Sequence, residues 1–343
     1  MNIGVLTGGG DCPGLNAAIR AVTKRGIDEY GYNILGIKNG WDGLVEGNVA
    51  PLTLYSVSGI LPKGGTILGT SRRNPLKNRE DWHKVLDNIR KFELDVIVAI
   101  GGEDTLGVAL KLYDEGVNVV GIPKTIDNDL QGTDYTFGFD TALYIATEAI
   151  DRIHTTAESH HRVMVVEVMG RHTGWIAVMS GIAGGADCIL IPEVPFSIEE
   201  IVKIILGRKK RGKTFSIVVV AEGAKPKEIK ELVTRSNKVD EFGHIYLGGI
   251  ADVLGKELEK RTNMETRVTI LGHIQRGGTP TPFDRILATR FGVKAVDMIK
   301  EKQFGKMAAL IGSSITTSPI EEAVKEPKKV PVELYEIAKV FFR

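Results

Sequence analysis

Residues 96–112 read VIVAIGGEDTLGVALKL, and residues 5–22 read VLTGGGDCPGLNAAIRAV. Each begins with an apolar, β-branched run, breaks at consecutive glycines and an acid, and resumes with apolar residues at helical spacing. In the second stretch Leu15, Ala18, Ile19 and Val22 fall at i, i+3, i+4 and i+7, one face of a 3.6-residue period. A continuous apolar strand suits a parallel sheet covered on both faces. The glycines let the backbone approach a ligand closely, and the N-terminus of the following helix favours an anion. Two ordinary strand-to-helix turns satisfy the same pattern, so neither stretch alone is more than moderately informative.

The pattern recurs. NIGVLT (2–7), DVIVAI (95–100), VNVVGI (117–122), RVMVVEV (162–168), CILIPE (188–193), FSIVVVA (215–221) and RVTILG (267–272) all read as buried strands. Between them, Trp82, Val85, Leu86 and Ile89 mark one helix. Ala142, Ile145, Ala146, Ala149, Ile150 and Ile153 mark a longer one, with Asp140 placed to cap it. Alternating strand and helix predicts an α/β fold: two doubly wound domains with mainly parallel sheets and an active-site cleft between them. The large domain is expected at 1–137 plus 252–303, and the smaller at 138–251 plus about 304–343. Residues 316–330 (TTSPIEEAVKEPKKV) lack a clean period and read as a surface segment before a short C-terminal helix.

Composition narrows the function. The 343 residues are 43% apolar and 25% charged, with a formal net charge of +1, as in a soluble globular protein with a sizeable core. That balance provides no basic field for nucleic acid or membrane. The two cysteines, Cys12 and Cys188, are too few for a disulfide framework and suit a reducing cytoplasm. The N-terminal apolar run is too short for a signal peptide, and no run approaches the roughly 20 residues of a membrane helix.

Residues 207–214, GRKKRGKT, match the P-loop pattern. A P-loop follows a strand and opens a helix. Here the order is reversed. Ser197 and Glu200 form a capping box for a helix carrying Ile198, Ile201, Ile204 and Ile205, Gly207 is placed to end it, and FSIVVVA follows. The stretch is expected to be a solvated basic loop, with an anion site at Arg211 and Lys213 left open.

A third candidate phosphate segment is PKTIDNDL (123–130), after the strand VNVVGI. Lys124 can neutralise charge, Thr125 can position an alcohol and Asp127 can accept its proton, as phosphoryl transfer requires. An Asx-rich turn is the alternative. Glu103 and Asp104 suit a phosphate site if a cation intervenes, and Mg²⁺ takes such hard oxygen ligands. They also suit the first turn of any helix.

These three segments, with MGRHTGW (169–175) and GHIQRGG (272–278) in that order, resemble the phosphofructokinase family from residue 2 to about residue 300. The resemblance implies phosphoryl transfer to the 1-hydroxyl of fructose 6-phosphate, with Mg²⁺ as cofactor. It assigns Asp127 as base and Thr125 as positioner. Met169, Gly170 and Arg171 would contact the sugar or the transferring phosphoryl group, and Glu222 the sugar hydroxyls. His273 and Arg276 would bind the sugar phosphate, and Arg162 and Arg267 would reach it from a neighbouring subunit of a homodimer or homotetramer. Gly10, Arg72, Glu103, Asp104, Thr105 and Lys124 fall on the donor side, with Glu103 as metal ligand where aspartate is more usual. His160, His161 and His172 match no metal spacing and read as structural.

ATP-using members commonly have glycine at the positions of Asp104 and Lys124. A carboxylate at 104 would fill and repel the place of a donor's third phosphate, and Lys124 would neutralise a short, highly charged donor. The pair is similar to that of pyrophosphate-dependent members. The ATP-dependent enzyme and a non-catalytic phosphosugar sensor are the alternatives. Arg20, Asp187, Arg211 and Lys213 resemble the family's effector site, but Leu54 stands where regulated members carry arginine.

Overall fold

The computed structural model describes residues 1–227, 234–239, 245–247 and 249–342. Its contacts divide into two units, each built on a sheet. The first takes Met1–Thr141 and Arg276–Pro327, and the second takes the described residues of 142–275 and 328–342. Among the described residues no helix is long and apolar enough to cross a membrane.

In the first unit the strand order is Ser314–Pro319, Lys306–Ile311, Val119–Thr125, Val96–Gly101, Asn2–Thr7, Asn33–Ile37 and Val49–Leu52. The two outermost pairs are antiparallel and the inner pairs parallel. Every residue of Val96–Gly101 is buried, as a parallel strand with both faces covered requires. Leu6, Ile97, Leu106, Leu112, Val119 and Met307 share one core cluster. The helices Leu15–Lys24 and Glu103–Asp114 follow the two glycine turns.

The second unit carries a parallel sheet in the order Thr266–Ile270, Val163–Val168, Ser216–Ala221, Cys188–Leu190. The helices Ile198–Lys210 and Ile250–Thr262 pack Ile201, Ile205, Leu254 and Leu258 against its Val163, Val165 and Val218.

Several features differ from the sequence reading. Residues 252–275 lie in the second unit because Thr266–Ile270 pairs with Val163–Val168, Arg267 opposite Met164. Residues 304–327 lie in the first, because the hairpin Lys306–Pro319 extends its sheet beside Val119–Thr125. Part of 316–330 is therefore edge strand and part the helix Ile320–Lys325; the segment is largely at the surface, as expected, but carries regular structure. Helix Phe139–His160 begins before Asp140, which sits in its first turn and accepts the Thr281 hydroxyl at 2.5 Å. The helix at 198–210 runs through Gly207, and the left-handed residue after it is Gly212 at φ +83°. GRKKRGKT is thus the end of a helix and its link to the strand Ser216–Ala221, and does not itself open a helix. Arg208 turns back to Asp187 at 2.8 Å and donates to Ser216 Oγ at 3.2 Å. Arg211 and Lys213 are exposed.

Candidate active site

The three candidate phosphate segments leave adjacent parallel strands at the same edge of the first sheet. Thr7 is opposite Ile100, and Gly101 opposite Pro123, so the turns that follow are neighbours. This is the carboxyl edge where open α/β sheets bind ligands. The Gly8 N–H donates to the Ile100 carbonyl at 3.0 Å and the Gly9 N–H to the Ser71 carbonyl at 3.3 Å. The Thr70 hydroxyl donates to the Gly9 carbonyl at 2.6 Å. A Cβ on Gly8 would collide with Thr105, and one on Gly10 would lie 2.7 Å from Arg276 Nη1. Only glycine allows both approaches.

Lys124 stands at the centre of this loop, 3% exposed. Its Nζ donates to the Gly8 carbonyl at 3.0 Å and the Gly10 carbonyl at 2.5 Å. Two of its three ammonium donors hold the glycine loop, so Lys124 shapes the turn as well as charging it. Burial pushes its pKa below the ordinary lysine value, against the pull of nearby acids. Gly10, Thr105, Lys124 and Arg276 therefore form one cluster. Glu103 and Asp104 open the helix beside it, Glu103 exposed and Asp104 half-buried.

Four residues past Lys124, the chain turns sharply. Asn128 has φ +50°, and its Oδ1 accepts the Thr136 N–H at 3.0 Å. The Asp127 N–H donates to Thr125 Oγ1 at 3.1 Å. The turn presents Thr125 and Asp127, both half-buried, from the end of the same strand as Lys124. Arg72 is half-buried in the segment that covers Gly9. Its neighbour Arg73 fastens that segment through Asp81 at 2.8 Å and Asp42 and Glu46 at 2.7 Å.

The second unit gathers another group at the carboxyl ends of its strands. Met169–Arg171 follows Val163–Val168, and Glu222 follows Ser216–Ala221. The Glu222 N–H donates to the Val168 carbonyl at 2.9 Å, and the Gly223 N–H to the Gly170 carbonyl at 3.1 Å. Gly170 adopts φ +139°, and a Cβ there would lie 2.6 Å from the Thr173 carbonyl. Met169, Gly170, Arg171 and Glu222 are thus brought together.

Gln275, given no role in the sequence reading of GHIQRGG, joins that motif to MGRHTGW. It is fully buried, accepts the Met169 N–H at 3.4 Å and donates to the Gly272 carbonyl at 3.1 Å. It thereby sets the turn that carries the exposed His273.

Arg162 and Arg267 are not part of that group. They lie at the opposite, amino-terminal ends of Val163–Val168 and Thr266–Ile270. Both pair with Glu265 Oε1, Arg162 at 2.9 Å. The hydrogen bond from Arg162 holds the Glu265 pKa below the ordinary glutamate value. Glu265 was also missed in the sequence.

Cys12 and Cys188 are buried thiols. Burial raises Cys12 to about 12, so it is not a nucleophile at neutral pH. Among the described residues no three His, Cys, Asp or Glu side chains converge as a metal cage. Mg²⁺ bound through one or two carboxylates and substrate phosphates needs no such cage, and the exposed Glu103 beside the glycine loop fits that mode.

The family model described as phosphofructokinase matches residues 2–299. The chain belongs to the phosphofructokinase family. Relatives in this family include a pyrophosphate--fructose 6-phosphate 1-phosphotransferase of Streptomyces coelicolor, 57% identical over 343 residues with both chains covered in full. An ATP-dependent 6-phosphofructokinase of Mycobacterium leprae is 52% identical, again with both chains covered in full. Both donor classes thus stand among the near relatives, and whole-chain likeness does not separate them. Among solved structures, phosphofructokinase from Saccharomyces cerevisiae superposes with a TM-score of 0.82 at 33% identity. That match covers 99% of this chain, which spans 46% of the yeast chain.

Proposed function

We propose that this phosphofructokinase transfers a phosphoryl group from pyrophosphate to the 1-hydroxyl of fructose 6-phosphate, reversibly, giving fructose 1,6-bisphosphate and phosphate. The observation that carries the reading is the strand Val119–Thr125. It carries the buried Lys124 on the glycine loop, ends at Thr125 and continues directly into the turn bearing Asp127. A phosphate site and a proton acceptor are built on one rigid element, as phosphoryl transfer to an alcohol needs.

In this reading Asp127 accepts the hydroxyl proton and Thr125 orients the acceptor. Arg171 stabilises the transferring charge, while Met169, Gly170 and Glu222 hold the sugar. His273 and Arg276 bind its 6-phosphate. Arg162 and Arg267, at the far edge of their sheet, serve a neighbouring subunit, so the working form is a homodimer or homotetramer. The first unit binds the donor through Gly10, Arg72, Asp104, Thr105 and Lys124 and supplies Thr125, Asp127 and Arg276 to the acceptor, while Met169, Gly170, Arg171, Glu222 and His273 of the second hold the sugar phosphate. Glu103 would hold Mg²⁺, which when bound neutralises charge on the phosphoryl oxygens.

Pyrophosphate is favoured by the charge at the first turn of helix Glu103–Asp114. Asp104 is half-buried there, where it repels a third phosphate and excludes the nucleotide. ATP use is the second reading, favoured by the 52% identical relatives that carry that name. A sensor without turnover has no need of a base at Asp127. The test of the catalytic reading is Asp127→Asn. Turnover should fall by roughly 10²–10⁴-fold, the usual contribution of a general base, with fructose 6-phosphate binding retained in calorimetry. Near-normal turnover would remove Asp127 from the role.

A further inference from the structure

The family match ends at residue 299, yet the chain returns to the second unit at 328–342. There it meets the loop that carries Arg171. Glu193 is the joint. Its Oε1 and Oε2 both accept the Gly174 N–H at 3.1 Å, and Oε1 also accepts the Val330 N–H at 3.1 Å. One residue on, Trp175 Nε1 donates to the Lys328 carbonyl at 2.7 Å, and Lys328 Nζ lies 5.4 Å from the centre of the Trp175 ring. Further along, the buried Tyr335 hydroxyl donates to the Ile189 carbonyl at 3.0 Å. Gly174 has no slack, since a Cβ there would overlap Ile191 and lie 3.2 Å from Glu193 Oε2.

We infer that segment 328–342 is a strap that positions loop 169–174, with Glu193 as the positioning residue for the acceptor side of the reaction. The path from clamp to site is short. Gly174 is fixed by a carboxylate accepting backbone N–H groups, a charge-assisted contact. The preceding Thr173 is buried, and its carbonyl lies directly under Gly170. A shift at Gly174 therefore passes through Thr173 to Gly170 and Arg171. The inference rests on the assignment of this loop to the sugar.

Glu193→Ala removes the joint, and Glu193→Gln restores an acceptor oxygen. In steady-state kinetics Glu193→Ala should raise the fructose 6-phosphate KM about tenfold, the effect of losing hydrogen bonds to a charged group. The pyrophosphate KM should be unchanged, and Glu193→Gln should recover most of the loss. Trp175→Phe, which keeps the ring and removes the N–H, should shift the same constant in the same direction. In the free protein, amide exchange at residues 170–174 should quicken in Glu193→Ala. Equal changes in both KM values, or unchanged exchange at 170–174, would overturn the strap. Absence of bisphosphate formation by the unsubstituted protein would instead overturn the proposed function, and the exchange measurement would still judge the strap.

Discussion

Asp284→Asn tests the electrostatics of the buried network that joins Thr141 to Thr281 and Asp284. Asp284 is fully buried, and its Oδ2 accepts the Thr141 N–H at 2.8 Å and the Thr141 hydroxyl at 2.6 Å. The Thr281 N–H donates to the same hydroxyl at 3.0 Å. Burial raises the carboxyl from 3.8 to about 6, although the Thr141 hydrogen bonds pull it down. The folded chain thus holds this proton more tightly than the unfolded chain does. The resulting stabilisation is complete below pH 3.8 and is lost as pH rises through about 6. The gap is roughly two pH units at about 1.36 kcal/mol each, or about 3 kcal/mol in all. Asparagine is neutral throughout and keeps an acceptor for Thr141. Urea unfolding of both proteins between pH 4 and 7 cancels the other titrations. The stability of Asp284→Asn relative to the parent should rise with pH, by up to about 3 kcal/mol. A difference that does not vary with pH would refute the buried-charge reasoning.

Replacing Asp104 with glycine should weaken pyrophosphate use and admit ATP, read as the ratio of kcat/KM for the two donors; an unmoved ratio would end the steric account. Gly10→Ala sets a methyl group 2.7 Å from Arg276 Nη1, so the guanidinium must move. Its kcat/KM should fall by roughly 10- to 100-fold, a cost of about 1.4–2.8 kcal/mol in transition-state stabilisation, with the melting temperature little changed. Wild-type kinetics would show that Arg276 does not act from that position.

The central strands were legible because they are buried along their whole length. Val96–Gly101 and Ser216–Ala221 are continuous apolar runs bounded by glycine or charge. The strand Ser314–Pro319 was not, because it lies at a sheet edge with alternating exposure and carries serine and threonine. The helix end at Gly207 was misread for an energetic reason. Arg208, Lys209 and Lys210 lie in the last turn, where cations favour the helix dipole and extend the helix past an interior glycine.

Motif residues proposed for the site could be named individually from the sequence. The polar residues that hold them could not. Nothing in sequence marks these contacts of Gln275, Glu265 and Glu193, whose partners Met169, Arg162 and Val330 lie 103 to 137 residues away. Lys124 was read as a donor ligand from its charge. Its grip on the Gly8 and Gly10 carbonyls reaches past the intervening strand Val96–Gly101 to the loop after Asn2–Thr7, an arrangement only the folded sheet reveals.

The central claim is phosphoryl transfer from pyrophosphate to fructose 6-phosphate. Its most direct test is fructose 1,6-bisphosphate formation by the purified protein with Mg²⁺, comparing pyrophosphate and ATP side by side. A large preference for pyrophosphate is the predicted result. A preference for ATP would contradict the role given to Asp104 and Lys124 in donor choice, and no bisphosphate with either donor would contradict the catalytic reading itself.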